Sequence, residues 1–82
     1  MKVSNLLNKL SKLNIKHSIV DVNGYNQDIE FSINNMIFKA GYIIGCDVIE
    51  DFCREICFDN STQETQRRFF DNFNQVLKYA NS

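Results

Sequence analysis

The spacing of apolar residues changes period twice along this chain, and that constrains the fold more than any other feature. Val3, Leu6, Leu7, Leu10 and Leu13 recur at three- and four-residue intervals, the stripe of an amphipathic helix. Ser4 or Asn5 stands where its N-cap is expected. From His17 the period becomes two. In "HSIVDVN", Ser18, Val20 and Val22 share one face, and Ile19 and Asp21 the other. In "DIEFSIN", Ile29, Phe31 and Ile33 alternate with Glu30, Ser32 and Asn34, and in "MIFKAGYII" Met36, Phe38, Ala40, Tyr42 and Ile44 share a face. "NGYNQD" and Asn34-Asn35 supply the turns, because Gly and Asn tolerate positive φ.

Residues 50–58 fit both periods. As a strand, Phe52, Arg54, Ile56 and Phe58 share a face. As a helix beginning after Gly45-Cys46-Asp47, Ile49, Phe52, Cys53 and Ile56 form a stripe. The strand is preferred, because it pairs naturally with its predecessor and its core-facing positions favour β structure apart from Arg54; the helix stays open. Asn60-Ser61-Thr62 breaks the segment, and Ser61 with Glu64 fits a capping box. Phe69, Phe70, Phe73, Val76, Leu77 and Ala80 then predict a second helix, with Arg67 and Arg68 one turn inside it. Phe69, Phe73 and Leu77 are expected on its buried stripe, against Phe31, Phe38 and Ile56. The expected fold is α+β, one domain over residues 1–82: a helix, a four-stranded antiparallel meander and a C-terminal helix, with both helices on one face of the sheet.

A chain of 82 residues builds one small core. Small-molecule sites need clefts of roughly 300–1,000 Å³, which would remove much of that core. Phosphate-loop, HExxH and G-x-S-x-G patterns are all missing, and the single histidine, His17, opens the first strand. A non-enzymatic role without cofactor follows. Cys46, Cys53, Cys57 and His17 are the residue types zinc prefers, but the spacing C-x₆-C-x₃-C lacks the usual close pair. On a strand, Cys53 and Cys57 would have Cα atoms about 13 Å apart. Buried free thiols and no metal are expected. Three cysteines cannot all pair within one chain, which indicates a reducing, cytoplasmic setting. No apolar run approaches the roughly 20 residues of a membrane span.

Charge is unevenly spread. Residues 1–16 carry +4, residues 17–59 carry −6 and residues 60–82 carry +1, within a net charge of −1. The lysine face of the first helix, or Arg67-Arg68, offers phosphate contacts, and a small nucleic-acid-associated regulator is the alternative reading. Direct nucleic-acid binding is not favoured, because the acids lie on the sheet and the strand phenylalanines face the core. A protein partner fits better. The acidic turns (Asp28, Asp47, Glu50 and Asp51) suit a basic surface, with Asp47, Glu50 and Asp51 the preferred cluster. Tyr25 in the first turn is an exposed aromatic of the kind enriched at binding hot spots, and Arg67-Arg68 is the second candidate cluster. If the fourth strand feeds directly into a helix, the acids and the arginines lie at opposite ends of the sheet. A meander also has free edges, which allow a homodimer through a sheet edge.

Eleven asparagines in 82 residues fit an AT-rich coding source. In size, asparagine-rich composition, α+β pattern and lack of a catalytic motif, the chain resembles small accessory proteins of phages and other mobile elements, including anti-CRISPR proteins. The resemblance covers the whole chain as a style and transfers no functional residue. It implies an inhibitor that docks on a host defence complex and blocks a nucleic-acid or conformational step.

Overall fold

The computed structural model describes residues 1–57 and 65–82. Helix α1 (Val3–Lys12) precedes strands β1 (His17–Asp21), β2 (Asn26–Ile33), β3 (Met36–Ile43), β4 (Asp51–Cys57) and β5 (Thr65–Phe70), and helix α2 (Phe73–Ala80) follows. The strands form one antiparallel sheet in the order β1-β2-β3-β4-β5. The fold is α+β, as expected, but the sheet has five strands rather than four.

The amphipathic stripe of α1 buries Leu6 and Leu10 completely. Its start differs from the expectation: the helix begins at Val3, so Ser4 and Asn5 lie inside its first turn, and Lys2 at the N-cap makes no side-chain bond. The cap comes from across the fold. Asp47, in the β3–β4 connection, accepts from Ser4 N–H at 3.1 Å and from Ser4 Oγ at 3.2 Å. A carboxylate there satisfies a free helix donor and opposes the positive end of the helix dipole. At the other end Asn14 adopts φ 56°. Ile15 N–H bonds Leu10 O at 2.9 Å and Asn14 N–H bonds Ser11 O at 3.1 Å, the paired bonds of a Schellman stop.

Strands β2 and β3 pair from Asn26↔Ile43 to Ile33↔Met36. Asn34 and Asn35, at φ 51° and 66°, form the expected two-residue turn. Of the two readings of residues 50–58, the strand is the one adopted, over Asp51–Cys57; Phe58 and the Ser61–Glu64 box lie outside the described residues.

The largest correction concerns Arg67 to Phe70. They belong to β5, paired Phe52↔Phe70, Cys53↔Phe69, Arg54↔Arg68 and Glu55↔Arg67. The order Arg-Arg-Phe-Phe hid the strand: each face receives one arginine and one phenylalanine, so no polar/apolar alternation appears, and Phe69 and Phe70 continue the helical spacing of the residues after them. Helix α2 starts only at Phe73. Asn72 caps it by accepting from Gln75 N–H at 2.9 Å, and Gln75 Oε1 accepts from Asp71 N–H at 3.2 Å.

The core joins Leu6 and Leu10 of α1, Ile29 and Phe31 of β2, Phe38, Ala40 and Tyr42 of β3, Phe52 of β4, Phe70 of β5, and Phe73, Val76 and Ala80 of α2. Phe73 packs edge-on to Phe31 at 5.9 Å between ring centres, as expected of the last helix. Phe69 does not join it and is 60% exposed. Asn34 Nδ2 donates to Ala80 O at 2.8 Å, which ties the end of α2 to the β2–β3 turn.

Candidate functional site

Strand register sorts the remaining side chains onto the opposite, open face. Directly opposed residues in an antiparallel ladder share a face. Glu30, Lys39, Cys53 and Phe69 therefore form one row across β2 to β5, and Asp28, Gly41 and Asp51 form the next. Val20 extends the second row on β1. Glu55 and Arg67 pair one step further along.

The charges of this face are linked. Glu55 Oε1 receives Lys39 Nζ at 3.2 Å and Arg67 Nη2 at 3.3 Å. Gly41 leaves space that the carboxylates use: a Cβ added there would stand 2.9 Å from Asp51 Oδ1 and 3.4 Å from Asp28 Oδ1. Burial raises the Asp28 carboxyl above the ordinary carboxylate range; Lys39 opposes that shift and Asp51 reinforces it. Cys53 is buried beneath this network, and burial, with a further push from Asp51, raises its thiol as well. The whole forms a shallow depression of about 280 Å³, bordered by Asp28, Lys39, Asp51, Glu55, Arg67 and Phe69.

Four carboxylates (Asp28, Glu30, Asp51 and Glu55) stand against two cations (Lys39 and Arg67), so the face is net acidic. Around it lie exposed apolar side chains: Val20, Val22, Ile37, Ile43 and Phe69. A raised, buried thiol is protonated and a poor nucleophile. Among the described residues, no group of three or more His, Cys, Asp or Glu is arranged to hold a metal ion. Charged groups around a shallow apolar surface suit recognition of another macromolecule.

The six sequence-selected residues separate. Glu50, Asp51 and Arg67 line the same depression, so the expected placement of acids and arginines at opposite ends of the sheet is overturned for Arg67. Arg68 is on the core face, its guanidinium 4.8 Å from the Tyr79 ring centre and 5.8 Å from that of Phe70. There Arg54 donates to Tyr79 Oη at 2.7 Å. Asp47 is committed to α1. Tyr25 is 78% exposed in the β1–β2 turn, and its carbonyl accepts from Ile44 N–H at 2.9 Å. Asp28, expected in an acidic turn, stands within β2 instead, and sequence reasoning missed Lys39 and the spacing role of Gly41. A glycine inside an otherwise apolar strand was the available signal, since such a glycine marks close approach by another group.

Cys46 is exposed and Cys53 buried, and both are free thiols. His17 is held locally, with Nδ1 2.8 Å from Ile15 O. No described helix is long and apolar enough to cross a membrane. No family model, curated protein or solved structure matches this chain.

Proposed function

We propose that this chain is a non-catalytic protein-binding protein, a phage-type inhibitor. It docks on a host defence complex of the CRISPR-Cas kind in the host cytoplasm and blocks nucleic-acid binding or activation there. One observation carries the proposal: a sheet face combining net acidic charge, a shallow depression and an exposed apolar border. Both helices cover the core face, a placement supported by the core they share, which leaves the open face to the partner. A complex that grips DNA or RNA presents basic surface. Complementary carboxylates speed encounter with such a surface and fix its orientation, while Phe69 and the exposed aliphatics supply apolar contact.

The alternative, a nucleic-acid-associated regulator, is favoured by one feature: Lys2, Lys9, Lys12 and Lys16 are all exposed in and around α1. The experiment separates the two. Bacteria carrying defined CRISPR-Cas systems would express the chain and be challenged with targeted phage. Restored plaquing is expected from the wild type, and loss of it from the folded double variant Asp51→Lys/Phe69→Ser. Failure to restore plaquing against every class of system sinks the inhibitor. Affinity for free DNA that falls steeply with salt would instead establish the regulator.

A further inference from the structure

The two edges of the sheet are unequally protected. An edge strand presents unpaired backbone groups and is normally blunted by charge, proline or a bulge. Strand β5 carries adjacent Arg67 and Arg68, so antiparallel self-pairing centred there sets arginine against arginine. Strand β1 reads His-Ser-Ile-Val-Asp, and from Ser18 to Asp21 every residue is exposed. Ile19 is 50% exposed although it shares a face with Ile29, which is fully buried.

The hydrogen bonds show which groups of β1 are free. Val22 N–H bonds Asn26 O at 3.0 Å, and Ser32 N–H bonds Lys16 O at 3.2 Å. Even-numbered positions thus point their backbone groups at β2. The N–H and C=O of His17, Ile19 and Asp21 point outward by the alternation of an antiparallel ladder, and no described residue pairs with them.

We infer that β1 is a self-complementary edge, and that a second copy of this chain adds there antiparallel, about a two-fold axis at Ile19, to make a continuous ten-stranded sheet. This register alone engages all three outward-facing residues: Ile19 bonds Ile19 of the second copy, and His17 exchanges bonds with Asp21 in both directions. The side chains agree. Imidazole meets carboxylate at each end, Ile19 meets Ile19 at the axis, and Ser18 meets Val20 on the other face. Asp21 Oδ1 is occupied by Gly24 N–H at 3.1 Å, which leaves its second oxygen for the histidine. Shifting the pairing by two residues leaves one outward residue unpaired and removes the His–Asp match.

A contact along one five-residue strand falls short of the roughly 1,200 Å² that stable interfaces bury. The dimer is therefore concentration-dependent, with Kd on the order of 10–1,000 µM. Sedimentation equilibrium of the full chain across that range should show monomer converting to dimer. Ile19→Lys places two ammonium groups face to face and should weaken Kd at least about tenfold, with the circular dichroism spectrum unchanged. A second measurement needs no destabilising charge. In a Cys46→Ser background, Ile19→Cys should form a disulfide dimer on mild oxidation, because hydrogen-bonded pairs sit about 5.5 Å apart at Cα, within disulfide reach. Ser18→Cys, opposite Val20, should not cross-link comparably. A chain that stays monomeric throughout, a dimer indifferent to Ile19→Lys, or equal cross-linking at positions 18 and 19 would overturn the inference.

Discussion

The two faces of the sheet use opposite chemistry. On the core face, Phe31 stacks on Phe38 at 5.6 Å, Phe38 meets Phe70 at 5.9 Å, and Phe52 and Phe73 lie 6.1 Å apart. On the open face a chain of half-exposed ions, Lys39–Glu55–Arg67, runs beside paired carboxylates over a glycine. Close-packed rings tolerate little change, whereas half-solvated ions contribute little to stability and can be re-ordered by a partner. Stability is concentrated on one face of the sheet.

Mutations should break that contrast in a definite order. Phe38→Ala removes the ring at the centre of the aromatic cluster and should cost about 3–5 kcal/mol in chemical denaturation; a loss below about 1 kcal/mol would place the core elsewhere. Next comes Asp47→Ala, which uncaps α1 from a distance and should cost about 1 kcal/mol. For that reason Asp47 does not belong in a charge-reversal test of binding, where Asp51 and Phe69 can be changed without touching a cap.

Asp28→Asn should act in the opposite sense. Burial raises the folded-state pKa above the ordinary 3.8, so the folded chain holds this proton more tightly than the unfolded chain. The contribution of Asp28 is most favourable below the ordinary value and is lost as pH rises through the raised one. The variant should therefore be more stable than wild type at neutral pH, with the gain shrinking as pH falls toward the ordinary value; melting temperatures across that interval are the check. The smallest effect should come from Glu55→Gln, a few tenths of a kcal/mol that high salt erases. A large, salt-insensitive loss there would make the open face part of the stabilising framework.

Period-two alternation with a clear polar side made β2 legible, the Asn34-Asn35 turn made β3 legible as its partner, and three- and four-residue spacing did the same for α1 and for α2 from Phe73 onward. Strand β5 was not legible, because its doubled arginines and phenylalanines carry no alternation. The remote cap was hidden too, since Asp47 stands 43 positions from Ser4 and no local pattern joins them. The asparagines of the first turn and of Asn34-Asn35 were legible as turn residues, but the structural roles of Asn14 and Asn72 were not. Asn14, Asn34 and Asn35 take positive φ, Asn72 caps α2, and Asn23 Oδ1 receives both Tyr25 N–H and Asn26 N–H in the first turn. Of the candidate site, Glu50, Asp51 and Arg67 could be picked out as charges, but their meeting with Asp28 and Lys39 depends on strand register, which is set by pairing rather than by composition.

The position of α2 after all five strands has a consequence for biosynthesis. Hairpins of the β1–β3 kind form in about 1–10 µs, while translation at roughly 5–20 residues per second needs a few seconds to pass from Ile43 to Ala80. Between those times Leu6 and Leu10 of α1, already synthesised, are available to cover Phe31 and Phe38, whereas the α2 side chains of the same core are not. Until Phe73 and Val76 arrive, the core lacks the ring that packs 5.9 Å from Phe31, and the part of the aromatic surface that α2 hides in the finished protein stays exposed.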